Sequence, residues 1–228
     1  MATIADKLQL VRDRIHAAVS QFGRPHDSVT LLAVSKTFPA VTVREAVAAG
    51  QHRFGENYVQ EAVDKIAELA DLREQIEWHL IGPLQSNKTR VVAEQFDWVH
   101  SVDRLKIAQR LSEQRPAHLP PLQVCIQVNT SGEDSKSGVQ PDQALELARA
   151  VAALPRLQLR GVMSLPAPSD DPAEQRRQLQ AVRVAFEHLR SQGLPLDTLS
   201  MGMSADLEAA VEQGSTLVRV GTALFGQR

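Results

Sequence analysis

The chain has 228 residues, 43% apolar and 23% charged, which is enough to bury a substantial core without disulfides or a structural metal. Lysine plus arginine number 25 against 27 aspartate plus glutamate, a formal net charge of −2, so no basic excess marks nucleic acid as a partner. The single cysteine, Cys125, excludes an intramolecular disulfide and fits a reducing, cytoplasmic setting.

Ile4, Leu8, Val11, Ile15 and Val19 recur at three- and four-residue steps and predict an amphipathic helix ended near Gly23 and Pro25. That segment carries charges throughout, so it does not read as a signal peptide. No apolar stretch is long enough to span a bilayer, and no membrane partner is expected. Thr30 to Ser35 is a short apolar and β-branched run, a buried strand. Thr42-Val43-Arg44-Glu45 reads as a capping box opening a short helix that Gly50 closes. His52 to Gly55 is a second strand, and Asn57 can cap the helix that follows.

The alternation continues. Ile76 to Ile81 is strand-like, Lys88 to Gln95 helical, and Trp98 to Val102 a strand. Asp103 can cap a helix through Leu111. Leu122 to Val128 is the clearest strand. Asp142 to Leu154 is helical and Leu157 to Leu165 a strand. Asp171-Pro172-Ala173-Glu174 is a strong helix start, with a cap, proline in the first helical position and glutamate two residues on. Thr198 to Met203 is a strand. Ser204 can cap a helix ended at Gly214, and Thr216 to Val220 is the last strand.

Eight apolar strands alternating with helices predict a parallel sheet covered by helices, and in one chain of this length a closed (β/α)8 TIM-type barrel. An open doubly wound sheet is the competing fold. The chain leaves no room for a helix after strand eight, and the extra N-terminal helix would cover that gap. No linker or low-complexity segment divides the chain, so residues 1–228 read as one domain.

In such a barrel the chemistry sits at the C-terminal ends of the strands. Lys36 ends strand one on the same side as Leu32 and Val34. If that side faces inward, Lys36 is a candidate nucleophile toward an aldehyde; otherwise it snorkels outward at a strand end. Ser204, Gly221 and Thr222 follow strands seven and eight, where barrels often bind phosphate. A serine that caps a helix and a glycine that relieves crowding explain the same residues. Asn57 is a helix cap or a ligand neighbour. Arg219 faces opposite to Val218 and Val220, as a surface ion pair or as an inward arginine with a partner. His79, beside Trp78, reads as a hydrogen-bonded core histidine.

Other signals are weaker. Gly132 to Gly138 lacks the glycine that a Walker A loop needs immediately before Lys136. Cys125 reads as core. Arg176 and Arg177 read as a solvated face. Met201 and Met203, flanking Gly202, can line a pocket or simply pack. No histidine pair has metal-ligand spacing, so no metal is expected.

In combination, several segments resemble the pyridoxal phosphate homeostasis protein family, which is similar to the barrel domain of bacterial alanine racemase. They are Leu32-Ala33-Val34-Ser35-Lys36-Thr37, Phe54-Gly55-Glu56-Asn57-Tyr58, Trp78 to Lys88, Asn129 to Gly138, Gly161-Val162-Met163-Ser164, Leu199 to Asp206 and Gly214 to Gly226. The resemblance implies that pyridoxal 5′-phosphate (PLP) is held as an internal aldimine, a Schiff base on Lys36. It implies that Ser204, Gly221 and Thr222 hold the phosphate, that Arg219 faces the pyridine nitrogen and that Asn57 lies near the ring. It also implies a role in intracellular PLP homeostasis, buffering the aldehyde or delivering it to PLP-dependent apo-enzymes.

An arginine donating to the pyridine nitrogen leaves that nitrogen unprotonated and weakens the electron sink most PLP enzymes use. Alanine racemase also takes a tyrosine from a second, β-rich domain across its dimer. This chain ends at the barrel and has one tyrosine, Tyr58. The expectation is therefore a monomeric, non-enzymatic carrier. A small PLP-dependent racemase and a barrel enzyme acting on a phosphorylated substrate are the alternatives.

Overall fold

The computed structural model describes residues 2–130, 137–167, 169 and 171–226. Eight strands form one closed, parallel barrel in sequence order: β1 Thr30–Val34, β2 Arg53–Glu56, β3 Glu77–Leu80, β4 Trp98–Val102, β5 Leu122–Gln127, β6 Leu157–Met163, β7 Thr198–Ser200 and β8 Leu217–Val220. Closure comes from β8 pairing with β1, with Leu32 opposite Arg219 and Ala33 opposite Val220. The barrel therefore replaces the open-sheet alternative.

Side-chain alternation sorts each strand between two cores. Outward residues such as Leu31, Ala33, Phe54, Trp78, Leu80, Val99, Val124 and Val218 join the helices in one large apolar shell. Inside the barrel lie two smaller clusters, Leu32-Val34-Ile81-Leu217 and Trp98-Cys125-Met163. The rest of the interior is polar, with His79, His100, Ser200 and Arg219 all buried.

The helices are α1 Ile4–Gln21, α2 Ala40–Ala48, α3 Val59–Glu68, α4 Thr89–Gln95, α5 Leu105–Gln114, α6 Ala144–Ala152, α7 Pro172–Ser191, α8 Leu207–Glu212 and α9 Thr222–Phe225. Helix α1 is the predicted extra element. It buries Leu8, Val11, Ile15 and Val19 and packs on α2, α8 and α9. Each of those side chains contributes about 1.5–3 kcal/mol of hydrophobic stabilisation. Among the described residues, no helix is long and apolar enough to cross a membrane.

Four predicted helix starts move. Helix α2 begins at Ala40 behind Pro39, so Thr42 lies inside its first turn and forms no capping box. Helix α3 starts behind Tyr58, α5 behind Arg104 and α8 behind Asp206; Asn57, Asp103 and Ser204 cap none of them. A short helix, α9, does follow β8, where no helix was expected. The strong start at Asp171 is as predicted: its side chain accepts from the Ala173 N–H at 2.9 Å. Of the Gly132 to Gly138 segment, residues 132–136 lie outside the described residues.

Candidate functional site

Lys36 lies after β1, Asn57 after β2, Ser204 after β7, Arg219 in β8, and Gly221 and Thr222 after β8. Strands β7, β8, β1 and β2 are consecutive neighbours in the closed sheet. The fold thus gathers all six residues in one sector of the C-terminal rim.

The β-ladder continues past β1, since the Ser35 N–H donates to the Gly55 carbonyl at 3.0 Å. Leu32 and Val34 belong to the interior cluster, and the alternation places half-buried Lys36 on their side. Ser35 faces the other way. Its hydroxyl donates to Glu56 Oε1 at 2.6 Å, and its carbonyl accepts from Lys65 Nζ at 2.8 Å. Lys65 Nζ also lies 2.6 Å from Glu56 Oε1 and 3.1 Å from Glu61 Oε1. Glu61 in turn accepts the Thr37 N–H. One charged cluster therefore holds both peptide units of Lys36, through the Ser35 carbonyl on one side and the Thr37 amide on the other. Burial raises the Glu56 carboxyl above its ordinary range, against the pull of Lys65.

A turn follows, closed by the Phe38 N–H donating to the Ser35 carbonyl at 3.1 Å. Thr37 sits in it at φ +64°, left-handed backbone that a β-branched residue rarely adopts.

The loop after β7 is tied to β8 by the Arg219 N–H, which donates to the Gly202 carbonyl at 2.9 Å. Gly202 has φ +95°, and a Cβ there would stand 2.4 Å from the Ala210 Cβ, so only glycine fits. At Gly221 a Cβ would stand 3.1 Å from the Val34 carbonyl oxygen, which is why β8 can end so close to β1. Among the described residues, the backbone N–H groups of Ser204, Ala205, Thr222 and Ala223 make no hydrogen bond. Arg14 of α1 holds the first loop from behind. It donates to the Ser204 carbonyl at 2.8 Å and forks both oxygens of Glu208 at 2.5 and 2.6 Å.

Arg219 is 3% exposed; among the described residues no carboxylate touches it, and Asp206 acts on it only through space. Its Nη1 donates to the Ser200 carbonyl at 2.7 Å and to Ser200 Oγ at 2.8 Å; Nη2 donates to the Ser164 carbonyl at 2.8 Å. Of its five N–H donors, the Nε–H and one on Nη2 stay uncommitted. Burial lowers its pKa to about 10, still charged at neutral pH. The surface ion-pair reading of Arg219 is thereby replaced by an inward arginine.

Asn57 lines a rim cavity of about 270 Å³ with Ile81, Gly82, Gln127, Ser137 and Leu165. Its side-chain oxygen is buried without a hydrogen-bond partner. Gly82 permits the close approach of that loop, because a Cβ there would meet the Asn57 carbonyl oxygen at 2.2 Å.

The profile of the alanine racemase N-terminal domain matches residues 8–228. The pyridoxal phosphate homeostasis protein of Pseudomonas aeruginosa is 60% identical over 228 residues, covering 100% of this chain and 97% of that one. Its counterpart in Escherichia coli K12 is 56% identical over 229 residues, with 100% and 98% coverage. The chain belongs to the pyridoxal phosphate homeostasis protein family. A solved family structure, PipY of Synechococcus elongatus PCC7942 with PLP bound, superposes with a TM-score of 0.86 at 40% identity, covering 98% of this chain and all of that one.

Sequence reasoning singled out only part of this arrangement. His79 is the buried, hydrogen-bonded histidine expected, and Cys125 is core, its thiol pushed up to about 12 by burial. Met201 and Met203 do not act as a pair: the first is buried in the outer shell, the second 38% exposed. Lys65, Glu56, Glu61, Arg14, His100 and Ser200 were not singled out. His100 and Ser200 carried a usable signal, since both are polar on the inward side of short buried strands. The other four meet the site only through long-range contacts. No cluster of three metal-ligating side chains occurs among the described residues.

Proposed function

We propose that this protein binds PLP at the rim formed by β7, β8, β1 and β2, joined covalently to Lys36 Nζ, and that it buffers or delivers the aldehyde to PLP-dependent apo-enzymes. The observation that carries the reading is the placement of a conformationally clamped Lys36 on the strand beside the Gly221-Thr222 loop. The residues present fit the group. Four uncommitted N–H groups with the Ser204 and Thr222 hydroxyls suit a phosphate. The two free Arg219 donors suit an aromatic nitrogen, and the buried Asn57 side-chain oxygen is an acceptor left without a partner. The PLP-bound relative supports the same assignment.

When bound, PLP supplies an electrophilic carbonyl carbon and an electron-withdrawing ring. Arg219 tempers the second property, because a guanidinium donates a hydrogen bond without giving up its proton. Lys36 is the lysine that β1 carries to the rim for capture, and Ser204, Gly221 and Thr222 retain the phosphate. The only tyrosine, Tyr58, is 55% exposed. No tyrosine is thus buried against the rim to serve as a second proton-transfer group. We therefore favour a carrier over a racemase, acting as a single-domain monomer in the cytoplasm.

The test is the visible absorption spectrum of the purified protein, followed by borohydride reduction and peptide mass mapping. A band fixed by reduction onto Lys36, and absent from Lys36→Ala, supports the reading. α-Proton exchange of amino acids with deuterium oxide at enzymatic rates makes the protein a racemase instead. No band after PLP addition overturns the cofactor assignment and leaves a barrel enzyme acting on a phosphorylated substrate.

A further inference from the structure

A continuous hydrogen-bonded chain crosses the barrel interior beneath Arg219. Ser200 Oγ lies 2.8 Å from Arg219 Nη1 and 2.9 Å from His100 Nδ1. His100 Nε2 lies 2.9 Å from His79 Nδ1, and His79 Nε2 lies 2.9 Å from Glu77 Oε1. Ser200, His100 and His79 are wholly buried, whereas the Glu77 side chain is 38% exposed. Glu77 opens β3 at the opposite, N-terminal mouth, where it also accepts from Arg53 Nε at 3.1 Å. The chain therefore runs from the cofactor rim to solvent at the far end.

Its polarity follows from chemistry at the two ends. A guanidinium can only donate, so Ser200 Oγ accepts from Arg219. An ionised carboxylate can only accept, so the proton between Glu77 and His79 sits on His79 Nε2. Burial disfavours the imidazolium form of both histidines; at His79 it outweighs the opposite pull of Glu77 and Asp97, and at His100 Arg219 adds to it. Each neutral ring has one donor and one acceptor. His79 Nδ1 must then accept from His100 Nε2, and His100 Nδ1 must accept from the Ser200 hydroxyl. Every bond points the same way, from Arg219 to Glu77. His79 is further fixed by stacking on Trp98, with ring centroids 5.1 Å apart at 12°.

We propose that Ser200, His100, His79 and Glu77 form a directed relay that holds Arg219 as a charged donor toward the ring nitrogen of PLP, with Glu77 as its distant counter-charge. The arginine touches only carbonyl and hydroxyl oxygens, with Asp206 of the neighbouring loop acting on it through space, and the wire adds a second carboxylate across the barrel. The four are positioning residues, and they set the charge the cofactor ring experiences. The functional half of this inference rests on the PLP reading of Arg219; the polarity of the wire does not.

Two measurements test it. Long-range 1H–15N correlation spectra of the full chain, histidine-labelled and free of cofactor, report the tautomers directly. His79 and His100 are each expected as the neutral Nε2–H form at pH 7, and an Nδ1–H tautomer or an imidazolium at either position overturns the relay. The second measurement titrates the visible band of the PLP-loaded protein. Glu77→Gln removes the negative end, so the cofactor's proton leaves more readily and the band's pH midpoint falls by about half a unit. In the Ser200→Ala background the wire is cut, and the same substitution is expected to move the midpoint by less than half as much. Equal shifts in the two backgrounds overturn the relay. If no PLP band forms at all, the cofactor reading has failed, and the tautomer spectra still decide the wire.

Discussion

Lys65 Nζ and Glu56 Oε1 are 2.6 Å apart and almost completely buried, directly behind the strand end that carries Lys36. Two charges removed from water stabilise a fold only when their other hydrogen bonds are also met. Lys65 meets that condition through the Ser35 carbonyl and Glu61. Glu56 does so on Oε1 alone, because Oε2 has no partner. The asymmetry predicts unequal costs. Lys65→Met strands a buried carboxylate and is expected to cost about 3–5 kcal/mol. Glu56→Gln keeps the side chain's shape and leaves Lys65 its bonds to the Ser35 carbonyl and Glu61, so it is expected to cost much less. Urea unfolding of the two variants at pH 7 checks the order; a Glu56→Gln loss equal to that of Lys65→Met refutes it.

Thr37 gives a second prediction. A β-branched residue at φ +64° stores strain of about 1–3 kcal/mol, and here it stands next to the residue proposed to capture PLP. Thr37→Gly removes the strain and the Cβ while leaving the amide that Glu61 holds. Stability is expected to rise, or to stay level once the added chain entropy of glycine is counted. The turn around Lys36 loosens, so PLP capture is expected to slow. Denaturation midpoints and stopped-flow absorbance after mixing with PLP measure the two effects; faster capture would show that the turn hinders Lys36.

Arg14 explains why a barrel that already closes through β8 and β1 carries an extra helix. From α1 it holds the Ser204 carbonyl and both Glu208 oxygens, and so fixes the loop proposed to take the phosphate. The ion pair is 37% and 45% exposed at its two side chains, so its stability contribution is at most about 1 kcal/mol. Its larger effect is on geometry. Arg14→Ala is expected to weaken PLP retention several-fold with little change in melting temperature. Arg14→Lys should not restore it, because an ammonium cannot fork two oxygens and reach the carbonyl as well. Equilibrium dialysis against PLP distinguishes these outcomes.

The alternation of apolar runs with helical periodicity was enough to place eight strands and the barrel, because buried strands and amphipathic faces are local patterns. Asp171 was legible for the same reason. Thr42, Asn57, Asp103 and Ser204 misled because a good capping residue near a helix start is only a propensity. Pro39 ends the chain's freedom before Thr42, and Ser204 sits in a loop held by Arg14, 190 positions away. Lys36 itself was ambiguous until the interior cluster of Leu32 and Val34 fixed its side of the strand. The supporting residues Lys65 and Arg14 lie on helices, where their charges look like ordinary solvated faces.

The buried histidines predict how stability depends on pH. His79 and His100 have folded-state pKa values below the ordinary histidine value of 6.5, chiefly from burial. In the unfolded chain both bind protons once the pH falls below about 6.5, while the native state leaves them neutral. The unfolded state then holds more protons, so stability falls with falling pH, by up to about 1.4 kcal/mol per pH unit for each histidine while the pH lies between its folded and unfolded pKa. Glu77 acts in the same direction lower down. Its burial alone would raise the carboxyl, but the hydrogen bond from His79 and the facing Arg53 guanidinium outweigh that and hold its pKa at about 2, so its contribution is lost as pH falls from about 4.5. Urea midpoints between pH 8 and 5 should therefore decline steadily, and His100→Gln should flatten the decline by about half. An unchanged slope in that variant would mean that His100 is already protonated in the native barrel, which is incompatible with its place between Ser200 and His79.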